Sequence, residues 1–359
     1  MKFSVFLIGP TQGQGTEREV LAAMLREAQL AEELGFDTVW VAEHHFDSKF
    51  STVPSPNLLL AAMAQTTQRI KLGCGINVLP FHNPLRLAEE GAMLDLLSQG
   101  RFQWGIGRGI TGHEFESFRL SPAQSRTLFN EIHDAVIAAW RTGRMHYEGE
   151  LVQVPPTDIA PAVLQRPHPP VWVTAQSPES VAWAARHDYP AMQIGESLEA
   201  GRGQLERYRA AAAEAGVSVR RGGIVPLRMV YVAPTDEQAR EEAAAPVLEF
   251  WDHSARTTAP DYKSPGPARD AAGYEYWLQN NPARHGSLTY EALVDAGLVI
   301  SGSPDTVVRG IERQIDALEC DHLMCDFWRP SSMAKRQQAM RLFAEEVMPA
   351  FRGKETTHG

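Results

Sequence analysis

Cysteine is scarce in this chain of 359 residues: only Cys74, Cys320 and Cys325 occur, and no CxxC pair is formed. Three widely spaced thiols argue against a disulfide framework and fit a reduced, cytoplasmic setting. No apolar run approaches ~18 residues, so no membrane-spanning segment is expected. The opening "MKFSVFLIGP" lacks a small-residue cleavage site and is read as a first strand rather than a signal peptide. No Lys/Arg-rich cluster stands out, and the net charge is -10. Neither nucleic acid nor an anionic membrane surface is therefore an expected partner. The HExxH pattern is missing too. "HEFE" at 113–116 lacks its spacing, and no metal is assigned.

What is present is alternation. Short apolar runs at 2–8, 37–42, 69–79, 101–107, 170–175, 191–195, 224–233 and 321–327 are each followed by punctuation and a segment of helical period. Their side chains are apolar without alternating, as in strands covered on both faces. Eight such βα units predict an α/β fold, a (β/α)8 TIM barrel spanning residues 1–359 as one domain. A doubly wound open sheet is the competing arrangement. Two stretches break the rhythm. Residues 143–170 read as a hairpin insertion with a Pro-rich return, and 252–287 as a lid loop over the barrel mouth.

Three motifs carry candidate chemistry. "VWVAEHHF" places Glu43, His44 and His45 directly after the second strand, hence at the barrel's carboxyl-terminal rim, where polar residues read as site residues. Adjacent side chains diverge, so one imidazole can face the mouth while the other packs behind it against an acid. Histidine suits proton transfer near neutrality, although a satisfied, half-buried pair is the plain alternative. "GIGRG" (105–109) is not followed at once by a capped helix or, about twenty residues on, by the acid of a dinucleotide fingerprint. It reads instead as a loop that lets backbone approach a ligand, with Arg108 contacting phosphate. "AQSPES" (175–180) offers Ser177 as N-cap and Pro178 at the first helical position, a helix terminus able to bind phosphate. "LGCGINVLP" (72–80) carries two glycines in an apolar strand, a mark of close backbone approach.

These motifs stand in order with "LPFHNPLRLAEEGAMLDLLSQGRFQWGIGRG" (79–109), "SRTLFNEI" (125–132), "RPHPPVWVTAQSPESVAWAAR" (166–186) and "GSPDTVVRGI" (302–311). Taken together the chain resembles the luciferase-like flavin-dependent monooxygenases, which are eight-stranded barrels. The resemblance implies reduced FMN, dioxygen addition at flavin carbon 4a, and transfer of one oxygen atom to a small organic substrate. It places His44 as the catalytic histidine, Glu43 and His45 beside it, and Glu114 as an acid near the flavin. Arg108, Arg126, the backbone of Ala175, Gln176 and Ser177, and Ser180 would hold the FMN phosphate. Gly107 would lie near the flavin, and Gly75–Ile76 would match a non-proline cis peptide beneath its ring. Phe6, Phe46, Phe115, Phe118 and Trp251 would form an aromatic, apolar substrate pocket. Gly107 stands where luciferases proper carry a reactive cysteine, and Asn83 where they carry a histidine, so light emission is not implied. No nicotinamide-binding motif is found, which points to a separate flavin reductase. A homodimer through the helices after the second and third strands is also implied. Deazaflavin-dependent hydride transfer on the same fold, and a non-catalytic flavin-binding partner subunit, are the alternatives.

Overall fold

The apolar runs become parallel strands covered on both faces in the computed structural model, which describes residues 1–12, 14–219, 222–257, 276, 288–327 and 332–352. The first half is β1 (Lys2–Leu7), α1 (Glu17–Leu34), β2 (Thr38–Val41), α2 (Pro56–Thr66), β3 (Lys71–Cys74), β4 (Asn77–Val78), α3 (Pro84–Leu97), β5 (Phe102–Gly107), α4 (Gly112–Ser117) and α5 (Ser125–Thr142). An antiparallel hairpin, β6 (Arg144–Glu148) and β7 (Gln153–Asp158), intervenes. There follow β8 (Val171–Thr174), α6 (Pro178–Arg186), β9 (Ala191–Ile194), α7 (Leu198–Glu214), β10 (Ile224–Val232), α8 (Asp236–Thr257), α9 (Tyr290–Asp295), β11 (Val299–Gly302), α10 (Pro304–Leu318), β12 (His322–Phe327) and α11 (Met333–Leu342).

Eight strands form a closed parallel ring in the order β1, β2, β3, β5, β8, β9, β10, β12 and back to β1. Pairing of Ile224 with Ala191 and of Leu227 with Ile194, with β12 on the other side of β10, closes the ring, which an open doubly wound sheet lacks. Inward-facing Phe6, Trp40, Met192, Val225, Leu227 and Met324 fill the barrel, while a larger apolar shell packs between strands and helices.

Three departures have physical reasons. The apolar run 69–79 is not one strand: Gly75–Ile76 is a cis peptide, and the chain resumes as β4, which pairs only with β5. Strand β11, not anticipated from the sequence, adds to the outer part of the nine-residue β10, whose length lets it pair with β9 and β12 first and β11 beyond. Of the segment read as a lid, Asp252–Thr257 are the last turns of α8; residues 258–275 and 277–287 lie outside the described part.

The glycines of "GIGRG" answer to this crowding. A Cβ on Gly105 would stand 2.0 Å from the Cys74 carbonyl oxygen, and one on Gly107 would stand 2.0 Å from Ile76 Cδ1. Gly107 therefore makes room for the chain's own kinked third strand. Because the Cys74 oxygen is backbone and cannot swing aside, Gly105→Ala is expected to cost at least about 1–3 kcal/mol through overpacking. Urea unfolding would show it as a lowered midpoint.

Candidate functional site

The loops at the carboxyl ends of the strands surround a cavity of about 1470 Å³ of atom-free space, its open mouth included. Its walls are mostly apolar, with Phe6, Ile8, Phe50, Leu227, Met229 and Trp251 among them. Polar groups enter the same cavity from three connections and one strand: Glu43 and His44 after β2, Arg108 and Thr111 after β5, Gln176, Ser177 and Ser180 after β8, and Asp326 on β12.

The acid–histidine cluster divides as the geometry of adjacent residues requires. His44 lines the cavity, and its Nδ1 donates to Glu114 Oε1 at 3.3 Å. The same Glu114 oxygen accepts the His45 amide at 2.8 Å, so one buried acid fixes both residues. His45 turns its ring away, its Nε2 donating to Glu43 Oε1 at 3.1 Å and its face meeting Phe118 edge-on at 4.9 Å. Glu43 is fully enclosed. Burial alone would raise its carboxyl, but the His82 charge and hydrogen bonds from His45 and His82 outweigh burial and hold it down at about 2. His82 Nε2 reaches both carboxylate oxygens, at 3.0 and 2.9 Å.

Helix α6 begins as the Ser–Pro pattern dictates. Ser177 caps it by accepting from the Ser180 amide at 3.3 Å, with Pro178 in the first turn. Arg126 on α5 donates through Nη1 and Nη2 to Ser180 Oγ at 3.3 and 3.2 Å. A helix terminus with Arg126 on its Ser180 hydroxyl, and Arg108 lining the same cavity, is a ready anion site. Three buried polar atoms of cavity-lining residues, Thr111 Oγ1, Thr174 Oγ1 and Trp251 Nε1, have no hydrogen-bond partner among the described residues. Such orphans call for a ligand or water. A phosphate-bearing, hydrogen-bonding, largely planar group fits this lining. Among the described residues, no three His, Cys, Asp or Glu side chains are grouped to hold a metal ion, and no helix is long and apolar enough to cross a membrane.

Several expected site residues lie elsewhere. Phe46 is 65% exposed, in a left-handed turn conformation (φ 64°) that swings it outward onto His45 and Phe118. Phe115 and Phe118 pack against Phe81 and do not line the cavity, leaving Phe6 and Trp251 of the five expected aromatics. His45, Gly107, Ala175 and Arg126 do not line it either, and Arg126 meets it only through Ser180. Gly75, Ile76, Arg108, Gln176, Ser177, Ser180, Glu43, His44 and Glu114 all do. Sequence reasoning missed His82, whose "FHNP" context carries no site pattern. At the tip of α8 it named Trp251 alone and missed its neighbours, where Phe250 stacks on Phe50 at 5.6 Å and His253 reaches Asp47 at 2.9 Å.

A barrel that gathers a histidine, acids and a capped helix terminus around one largely apolar cavity is built to enclose a small molecule at its carboxyl-terminal rim. The chain belongs to the luciferase-like monooxygenase family, whose model matches residues 1–318. It is an oxidoreductase of the flavin-dependent monooxygenase class. It is 28% identical over 370 residues to the oxygenase component of the flavin-dependent trigonelline monooxygenase of Acinetobacter baylyi, covering 98% of this chain and 96% of the relative. The crystal structure of the monooxygenase RslO1 from Streptomyces bottropensis superposes with a TM-score of 0.80 at 29% identity, covering 98% of this chain and all of that one. A coenzyme F420-dependent tetrahydromethanopterin reductase from Methanopyrus kandleri shares the fold at 21% identity (TM-score 0.73, 98% of this chain and 99% of that one).

Replacing Glu114 by Leu would strip partners from His44 Nδ1 and the His45 amide at once. The cost expected for the stranded donors is about 1–3 kcal/mol, read as a lowered urea midpoint, with a smaller loss for Glu114→Gln.

Proposed function

We propose that this enzyme binds reduced FMN in the barrel-mouth cavity and inserts one oxygen atom from dioxygen into a small apolar organic substrate. The observation that carries the reading is the shared cavity: His44, held by Glu114, lines it together with Arg108, Ser177 and Ser180. FMN, when bound in reduced form, supplies the electrons that activate dioxygen. Arg108, the Ser180 hydroxyl and the positive end of α6 hold the phosphate, and Arg126 orients Ser180. Ile76 and the Gly75 backbone form part of the floor for the ring. His44, with Nδ1 committed to Glu114, keeps Nε2 to hold or move a proton at the cavity wall. Phe6, Phe50, Leu227, Met229 and Trp251 exclude water and favour an apolar substrate.

Reduced flavin comes from a separate reductase in this reading, supported by the absence of a nicotinamide-binding motif and by the Acinetobacter relative being an oxygenase component. A homodimer is proposed through α2 and α3, whose Leu58, Met93, Leu96 and Leu97 are exposed. The three cysteines, all buried, suit a reduced, cytoplasmic setting.

Fluorescence titration with FMN, riboflavin and deazaflavin tests the cofactor. FMN is expected to bind best. Ser180→Ala and Arg126→Ala are each expected to weaken FMN about tenfold, the worth of one charge-assisted hydrogen bond, and to leave riboflavin unchanged. Exclusive deazaflavin binding would overturn the monooxygenase reading. His44→Asn is expected to lower turnover about 10²–10⁴-fold with FMN affinity retained, measured with an added reductase.

A further inference from the structure

The floor of the cavity has a weak seam. Backbone pairing between β2 and β3 ends with Val41 and Cys74, and the last hydrogen bond across it runs from the Gly75 amide to the Val41 carbonyl at 2.8 Å. Past Gly75 the chain turns through Ile76 into β4, which pairs with β5 alone. One side chain closes the gap toward β2. The Glu43 carboxylate accepts from Asn77 Nδ2 at 3.3 Å, the Val78 amide at 3.3 Å, His45 Nε2 at 3.1 Å and His82 Nε2 at 2.9 Å. Two of these donors belong to β4 itself, one to the loop after β2, and one to the short 3₁₀ turn Leu79–Phe81 at its exit. Two of the four donors are imidazoles, His45 from the loop that also carries His44 and His82 from the turn after β4, and neither ring lines the cavity.

We propose that His82 is a positioning residue for the flavin: as an imidazolium it holds Glu43 ionised, and through Glu43 it fixes the Ile76–Val78 floor, so that flavin affinity depends on the protonation of His82. His82 does not itself line the cavity. This rests on the FMN reading above.

The groups around the pair are consistent with it. His45 shares the carboxylate, while His44 is turned to Glu114 on the other side. From α3, Glu90 adds negative charge toward His82 and also accepts Asn57 Nδ2 at 3.3 Å. Asn57 on α2 in turn accepts from Cys74 Sγ at 3.0 Å and Asn77 Nδ2 at 3.4 Å. The Cys74 thiol is kept neutral, pushed up by burial and then by Glu43 and Glu90. Burial alone would lower His82, but the Glu43 charge and hydrogen bond outweigh burial and raise it above its ordinary 6.5. The signs then follow from linkage. The raised His82 contributes stability fully present below 6.5, lost as pH rises through its folded value. The depressed Glu43 contributes stability present above 4.5, lost as pH falls toward about 2. Between those limits both are charged, and the floor is held.

The test is FMN affinity, by fluorescence quenching from pH 6 to 9, in the wild type, His82→Gln and the double variant Glu43→Gln/His82→Gln. The wild type is expected to lose about tenfold in affinity as pH rises through the His82 titration. His82→Gln should be about tenfold weaker and flat with pH, because a buried carboxylate has lost its counter-charge. The double variant should regain most of the affinity, since removing both charges of a buried pair is far cheaper than removing one. A His82→Gln variant with wild-type affinity and wild-type pH slope overturns the proposal, as does a double variant no better than the single. Should His82→Gln fail to fold, the wild-type slope and the double variant decide. If the wild type binds no FMN at any pH, the functional reading fails by itself. The ion pair is then read from thermal unfolding without flavin. A fall in midpoint through the His82 titration that vanishes in the double variant supports the pair, and an unchanged fall overturns it.

Discussion

A carboxylate cannot be taken out of water alone, and Glu43 is wholly enclosed at the barrel's rim. Its burial is tolerable only because four donors converge on it, one of them from a histidine turn nearly forty residues downstream. That requirement organises the neighbourhood. It sends the His45 ring inward, which turns His44 to the cavity. It draws β4 toward β2 where backbone pairing has stopped, and brings the chain after β4 back across the rim. The arrangement of the mouth follows from satisfying one charge.

Around that charge the barrel divides its labour by distance along the chain. The acid–histidine pair comes from the loop after β2, its orienting acid Glu114 from the short helix after β5, and the Ser177-capped terminus from the helix after β8. The apolar cover comes from the far end of α8. These segments are far apart in the chain, and the ring of strands beneath them sets their positions relative to one another. Closing the ring between β9 and β10 brings these four segments into one site. The same closure crowds the interior, so that glycines appear where neighbouring backbone must pass. Gly105 and Gly107 look like a ligand-binding loop in the sequence, and in the fold they accommodate Cys74 and Ile76.

Much of the architecture was legible before any coordinates. Apolar runs at regular spacing revealed all eight barrel strands, because strands buried on both faces must be apolar throughout. Ser177 and Pro178 announced a helix terminus through local chemistry alone. The extra strand β11 was not legible, since it adds to a strand already paired on both sides and has no repeat of its own. Aromatic residues misled more than charged ones. Phe46, Phe115 and Phe118 sit close in sequence to the rim, yet a single left-handed residue at position 46 turns that ring to solvent, and the other two join a cluster around Phe81. Burial of a ring is decided by whichever apolar surface is nearest, which sequence does not record.

His82 shows the limit most clearly. Its neighbours in the chain, Phe81 and Asn83, say nothing about Glu43, and the contact is made across 39 positions. What the order of residues determined by itself was the local part: strand and helix identity, caps, and an acid with two histidines at a strand end, because those depend on backbone preference and on neighbours a few residues away. What only the tertiary structure decided was partnership. Which imidazole faces the cavity, which acid holds it, and which distant histidine neutralises the buried carboxylate are set by the closure of the barrel, since a buried charge is satisfied by whatever the fold brings within hydrogen-bonding distance.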